Sequence, residues 1–216
     1  MTRDVIDGLK EAIGGYDPTG ARAWAVKAVE ARIDPVVAFS AMTDVMKEIG
    51  DRFEAGECWL PELIGAAGAM QAAVPVLEEE IRNSGGHLER LGTVVTGSVR
   101  GDIHSIGIEM VGTLLMVEGF DVRYLGIDVA AEVFADAVEE TGADIVAMSA
   151  LLTVTAAEQK KVIDLLVARH LRNQVKVMVG GGAITEDFAV QIGADGYGAS
   201  ALGAVELARS WVVPHE

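Results

Sequence analysis

From residue 93 onward, five short runs rich in β-branched and apolar residues alternate with five helical segments, and this alternation leaves few folds open. The runs are 93–98, 121–125, 143–149, 175–179 and 194–197; the helical segments lie near 106–117, 131–141, 156–171, 185–192 and 201–212. Strands that are apolar throughout, each followed by a helix, specify a parallel sheet covered on both faces. Right-handed crossovers make the flavodoxin-like (Rossmann-like) strand order 2-1-3-4-5 the economical expectation. Gly97, Gly101 and Gly107 do not form Gly-x-Gly-x-x-Gly, so a dinucleotide cofactor is not expected.

Before this change of period the chain reads as helix from residue 2 to about 83. Val5, Ile6, Leu9 and Ile13 form a first stripe that stops at Gly14-Gly15. Asp17-Pro18 opens a second helix carrying Ala23, Val26, Ala28 and Val29, because Pro is favoured in a first turn. Asp34-Pro35 opens a third, with Met42, Val45, Met46, Ile49 and Phe53, ended by Gly56. A fourth starts near Leu60 with Leu63, Ala67, Met70, Val74, Leu77 and Ile81 on one face, and Pro75 should kink it. Four short-looped amphipathic helices make an antiparallel bundle. The expected organisation is therefore α+α/β: a helical bundle over 1–84, a linker over 85–91 and an α/β domain over 92–216, with Ser84-Gly85-Gly86 as the hinge.

Composition excludes several classes. With 33 acidic against 17 basic residues the net charge is −16, which argues against nucleic acid, since phosphate binding needs a positive footprint. No window is expected to approach a membrane span, and the first ten residues, with Asp4 and Asp7, do not read as a signal peptide. Cys58 is the single cysteine, so no intrachain disulfide can form and a reducing, cytoplasmic setting is expected.

Chemistry concentrates at Gly101-Asp102-Ile103-His104-Ser105-Ile106-Gly107, between the first strand and its helix. That position puts an imidazole at the carboxyl edge of the sheet, where open α/β sheets bind their ligands. A carboxylate two residues away can fix the ring's tautomer and leave its other nitrogen free for a metal. Alone, the histidine reads more readily as a satisfied loop residue than as a ligand. Ser149-Ala150-Leu151 and Gly180-Gly181-Gly182 end the third and fourth strands on the same edge, and consecutive glycines permit close approach of a ligand. His87, His170 and His215 have no partner spacing, and there is no zinc-type cluster.

Asp102-x-His104-x-x-Gly107, 41 residues, Ser149-x-Leu151, 28 residues and Gly180-Gly181 together resemble the signature of cobalamin-binding domains. The preceding bundle resembles the cap of the methyltransferase branch, found in corrinoid proteins and methionine synthase. The resemblance covers nearly the whole chain. It implies that His104 ligates cobalt from below, in place of the cofactor's own base, and that Asp102 accepts a hydrogen bond from the other ring nitrogen. Thr155 falls where the family continues this relay with a hydroxyl, and proton movement through Thr155, Asp102 and His104 would couple ligand strength to the cobalt state. Thr155-Ala156-Ala157-Glu158 also reads as a helix capping box.

The same resemblance implies a slot for the displaced nucleotide tail, lined by Ser149 and Thr153 with Leu151 beside it, and given room by Gly180, Gly181 and Gly182. Ser105, Ile106 and Gly107 complete the cofactor-binding loop. Trp59 falls near the aromatic that shields the upper face of the cobalt, and Met70, placed on the same face, is expected to bind the cofactor with it. Trp59 also reads as plain bundle core, sharing a face with Leu63, Ala66 and Met70. Two departures from the family's pattern stand out: Ser105, a candidate helix N-cap, replaces an acidic residue after the histidine, and Gly198-Ala199-Ser200 follows Tyr197 where an acidic residue is more usual.

The implied function is a corrinoid methyl carrier. It accepts a methyl group on Co(I) from a donor-specific methyltransferase and passes it from methyl-Co(III) to a second methyltransferase acting on a folate, a pterin or a thiol. The donor would be a methylated amine, betaine, methanol or an aryl methyl ether. A reductive activation protein is a further implied partner, and the acidic surface suits docking to basic faces. A cobalamin-based sensor is the alternative; it shares bundle and sheet but needs an output domain, and no DNA-binding module is read here.

Overall fold

Asp17 and Asp34 show how local chemistry starts the helices. Each carboxylate accepts a backbone N–H at 2.9 Å, from Gly20 and Val36 respectively, directly before Pro18 and Pro35. The computed structural model describes residues 2–83 and 90–212, and the chain divides into two compact units, 1–89 and 90–216. The first unit holds α1 (Thr2–Gly14), α2 (Pro18–Glu30), α3 (Pro35–Glu54) and α4 (Leu60–Asn83). Most of the linker expected over 85–91, and the Ser84-Gly85-Gly86 hinge, lie outside the described residues, as do His87 and His215.

The bundle core follows the expected stripes in α1, α3 and α4: Leu9, Ile13, Met42, Met46, Leu63 and Leu77 are fully buried. In α2 the buried face differs. Ala21, Ala25 and Ala28 point inward while Ala23 and Val26 are exposed. A stripe of alanines at i, i+4, i+7 gives α2 a smooth face against α4, its main neighbour. α4 runs through Pro75 as one helix. The expectation that no window approaches a membrane span needs correcting. Leu60–Ile81 is long and apolar enough by length and composition, with a mean hydropathy of 1.3. The reason is its content of small apolar residues: Ala66, Ala67, Ala69 and Ala73 are buried against the rest of the bundle.

The second unit alternates strand and helix: β1 (Thr93–Ser98), α5 (Ile106–Val117), β2 (Asp121–Tyr124), α6 (Ala131–Thr141), β3 (Ile145–Ser149), α7 (Thr153–Ala168), β4 (Lys176–Gly180), α8 (Glu186–Ile192), β5 (Gly196–Gly198) and α9 (Ala201–Val212). All pairings are parallel and the order is β2-β1-β3-β4-β5, as expected. Val95, Val146, Val177 and Val179 share a core with Phe134, Val138, Ile163 and Leu166, from α6 and α7. The Phe134 ring lies against β1, where a Cβ at Gly97 would come within 3.1 Å of it. Register lines up Ser98 with Ser149, Ser149 with Gly180, and Gly180 with Gly198. This row of small residues forms the carboxyl edge.

Candidate functional site

The loop after β1 is held in place by its own backbone. The Asp102 N–H donates to the Val99 carbonyl at 3.0 Å, and Gly101 takes φ +79°, a left-handed conformation that glycine adopts without strain. The buried Ser98 hydroxyl donates to the His104 carbonyl at 2.7 Å. These contacts bring the Asp102 side chain beneath the His104 ring.

Asp102 is 1% exposed and both of its oxygens are occupied. Oδ1 accepts from the His104 N–H at 3.1 Å and lies 2.8 Å from His104 Nδ1. Oδ2 accepts from the Leu151 N–H at 2.5 Å and from the Thr155 hydroxyl at 2.9 Å. Burial is the largest single influence on this carboxyl and pushes it up. The hydrogen bonds from Leu151, the His104 backbone, the His104 ring and Thr155 together outweigh burial and hold it below the usual carboxylate range. An ionised carboxylate can only accept, so Nδ1 carries the proton; in a neutral ring this tautomer leaves the lone pair on Nε2. The imidazole is 44% exposed, and Nε2 has no hydrogen-bond partner among the described residues.

Thr155 resolves the two readings of its motif. α7 begins at Thr153 with Leu152 as N-cap, so Thr155 lies inside the first turn and Thr155–Glu158 is not a capping box. The Thr155 hydroxyl has one proton and two acceptors at 2.9 Å, Asp102 Oδ2 and the Leu152 carbonyl. Ser105 occupies the N-cap position of α5 but its side chain makes no capping hydrogen bond.

A cleft of about 470 Å³ opens beside this loop, between α5 and the ends of β3, β4 and β5. Gly107, Ser149, Gly180, Gly181 and Gly182 line it; Thr153 and Leu151 do not. Thr153 is exposed at the start of α7, and the Leu151 side chain comes within 2.8 Å of where a Cβ on Gly182 would stand. Gly181 has a second reason to be glycine. Its φ is +111°, and a Cβ there would collide with the Ala150 backbone. Met110 and Met178 also line the cleft and were not singled out from sequence; Tyr197 and Ser200 line it too, in the segment noted there only as a departure from the family's pattern. Their signal was position: Met110 lies on the helix after β1, Met178 within β4, and Tyr197 and Ser200 in or just after β5.

In the helical unit, Trp59 precedes α4 and is 77% exposed, so it does not share the buried face of Leu63, Ala66 and Met70. Its backbone N–H donates to the Glu62 carboxylate at 2.7 Å, which starts the helix and leaves the indole outside. Met70 is buried in the bundle.

These residues fit a metal carried in its own macrocycle. Among the described residues no group of three or more His, Cys, Asp or Glu could cage a bare ion. One imidazole nitrogen with an open lone pair could supply a single ligand to such a metal instead. Exposed Ile103, Leu151 and Leu152 on the adjoining loops, with Ile106 and Val154 in the first turns of α5 and α7, offer a flat ligand an apolar seat. The cleft has the size of a small-molecule site.

Comparison with known proteins agrees. B12 binding domains match residues 92–206 and 5–78. Trimethylamine corrinoid protein 2 of Methanosarcina acetivorans is 41% identical over 208 residues, 96% of each chain. The dimethylamine corrinoid protein of Methanosarcina barkeri is 43% identical over 164 residues, 76% of each chain. In structure, the chain is similar to one from the methanol:cobalamin methyltransferase complex MtaBC of Methanosarcina barkeri. That match has a TM-score of 0.83 and 29% identity, covering 98% of this chain and 81% of that one. The fold and site thus define a B12-binding protein with a corrinoid as cofactor. More narrowly, the chain belongs to the corrinoid proteins of methyltransferase systems.

Proposed function

We propose that this protein is a methyl carrier serving a methylated-amine donor, with His104 as the axial ligand of its corrinoid. The observation that supports this most directly is the saturation of Asp102, which commits Nδ1 of His104 and leaves Nε2 open. The bound corrinoid supplies a cobalt centre able to accept and release a methyl group; that chemistry belongs to the cofactor. The chain's residues hold and tune it. His104 presents the nitrogen, Asp102 orients the ring and raises its basicity, and Thr155 holds a proton at the far side of the carboxylate. Ser149 and Gly180 to Gly182 accommodate the nucleotide tail in the cleft. Trp59, an exposed aromatic, is assigned the cofactor's upper face, and Met70 supports the bundle from inside.

A separate donor-specific methyltransferase loads the carrier, a second one unloads it to a folate, pterin or thiol, and a reductive activation protein restores it after oxidation. The relatives named for trimethylamine and dimethylamine favour an amine over betaine, methanol or an aryl ether as donor. The reading places the carrier in the cytoplasm, where the lone buried thiol of Cys58 stays reduced. Two measurements test it. Wild-type protein loaded with cobalamin and poised as Co(II) should show nitrogen superhyperfine lines from histidine by electron paramagnetic resonance, and His104→Ala should lose them. Reduced holoprotein should take up one methyl per corrinoid from trimethylamine with a cognate methyltransferase; uptake only from methanol would move the assignment to another donor.

A further inference from the structure

Outside the residues considered so far, one side chain grips the histidine loop from a neighbouring turn. Asp128 lies in the turn between β2 and α6. Its carboxylate Oδ1 accepts the Gly101 N–H at 2.6 Å, and its own N–H donates to the Asp102 carbonyl at 2.9 Å. Two reciprocal hydrogen bonds therefore bracket residues 101 and 102. The next residue continues the attachment: Val129 bridges Val99, and the Val129 N–H donates to the Ser98 carbonyl at 3.0 Å. Asp128 takes φ +53°, a left-handed conformation that costs a non-glycine residue free energy and that Asp and Asn tolerate best. An exposed residue held in that conformation by contacts to one loop is a reason to ask what the loop needs.

We propose that Asp128 is a positioning residue for the axial histidine, clamping the Gly101–Asp102 segment so that the Asp102 carboxylate stays beneath the imidazole. The proposal rests on the reading of His104 as the cobalt ligand. Gly101 has a left-handed φ and no side chain, so its own conformation restrains the loop little. Asp102 hangs from the next residue, and a rotation of the intervening peptide would carry its carboxylate away from Nδ1. The Ser98 hydroxyl fixes the loop at His104, and the Asp102 N–H fixes it at Val99. The Leu151 N–H and the Thr155 hydroxyl hold the Asp102 carboxylate itself, and Asp128 adds a hold on the backbone before it, from outside the core. The Asp128 carboxylate can therefore be removed without opening a cavity.

The test separates the clamp from the cofactor reading by using two readouts. Asp128→Gly keeps access to the left-handed conformation and deletes only the carboxylate. Asp128→Asn keeps an oxygen able to accept from Gly101. In cofactor-free protein, amide exchange across residues 100–104 should accelerate about tenfold in D128G and stay near wild type in D128N, with β1, β3 and β4 unchanged in all three. In cobalamin-loaded protein poised as Co(II), the histidine-coordinated fraction should fall in D128G and be restored in D128N. Unchanged exchange in D128G overturns the clamp, whatever the spectra show. Faster exchange with an unchanged histidine-coordinated fraction also overturns it, because the loop would then be loosened without consequence for the ligand. Absence of histidine lines in wild type would instead remove His104 as ligand, and with it this role for Asp128, even where exchange shows the loop to be held. If D128G fails to fold, D128S, which shortens the acceptor's reach, takes its place with the same expected outcomes.

Discussion

The Thr155 hydroxyl lies 2.9 Å from Asp102 Oδ2 across 53 residues of sequence. Asp102 in turn lies 2.8 Å from His104 Nδ1, so a helix that follows the third strand reaches the imidazole through one carboxylate. Thr155→Val keeps the shape and removes the donor. It should cost about 1–2 kcal/mol in urea unfolding of the cofactor-free protein, while Thr155→Ser should stay close to wild type. A valine variant as stable as wild type would show that the hydroxyl contributes nothing to the fold.

Asp102 also makes the protein acid-sensitive. Its carboxyl is held below the usual range in the folded state. A depressed value means that stability is fully present above the unfolded carboxyl's value and is lost as pH falls through the folded one. Asp102→Asn should lower stability near pH 7 by roughly 2 kcal/mol or more, and its stability should fall less steeply on acidification than that of wild type. Denaturant midpoints measured from pH 7 down to pH 3 provide the comparison; parallel acid limbs would contradict the assignment.

The triple glycine divides into positions with different tolerance. Gly181→Ala should destabilise the cofactor-free protein by about 2 kcal/mol or more, since it combines φ +111° with a collision at the Ala150 backbone. Gly182→Ala meets only the movable end of Leu151 and should cost much less. Thermal melts of the two variants should rank in that order.

Trp59 behaves as a surface residue for folding. Trp59→Ala should change cofactor-free stability by no more than about 0.5 kcal/mol, because the indole is exposed. The substitution should alter the absorption spectrum of the loaded protein if the indole meets the corrinoid. Identical spectra would leave Trp59 without a ligand role.

Much of this was legible from spacing. Strand order 2-1-3-4-5 followed from apolar runs alternating with helices, and the three glycine-bearing or serine-bearing strand ends fell on one edge because parallel strands all point the same way. What was misread had local causes. In α2, Ala21, Ala23, Ala25 and Ala28 differ too little in size and polarity from their neighbours for periodicity to choose a face. At α7, Thr155 and Glu158 mimic a capping box, whereas the helix starts two residues earlier behind Leu152, a residue with no capping group. Trp59 was grouped with Leu63 by helical spacing, but the helix begins only after it. Asp128 went unnoticed because one aspartate in a turn carries no pattern; its significance lies in a backbone N–H that only the folded chain brings near.

The seat of Asp102 has an evolutionary corollary. Its carboxylate is gripped by two stretches distant in sequence, 101–104 and 151–155. Lengthening either stretch by a single residue would unseat the imidazole, so insertions are barred from both. The outer surfaces carry no such restriction, and changes of length there leave this junction intact.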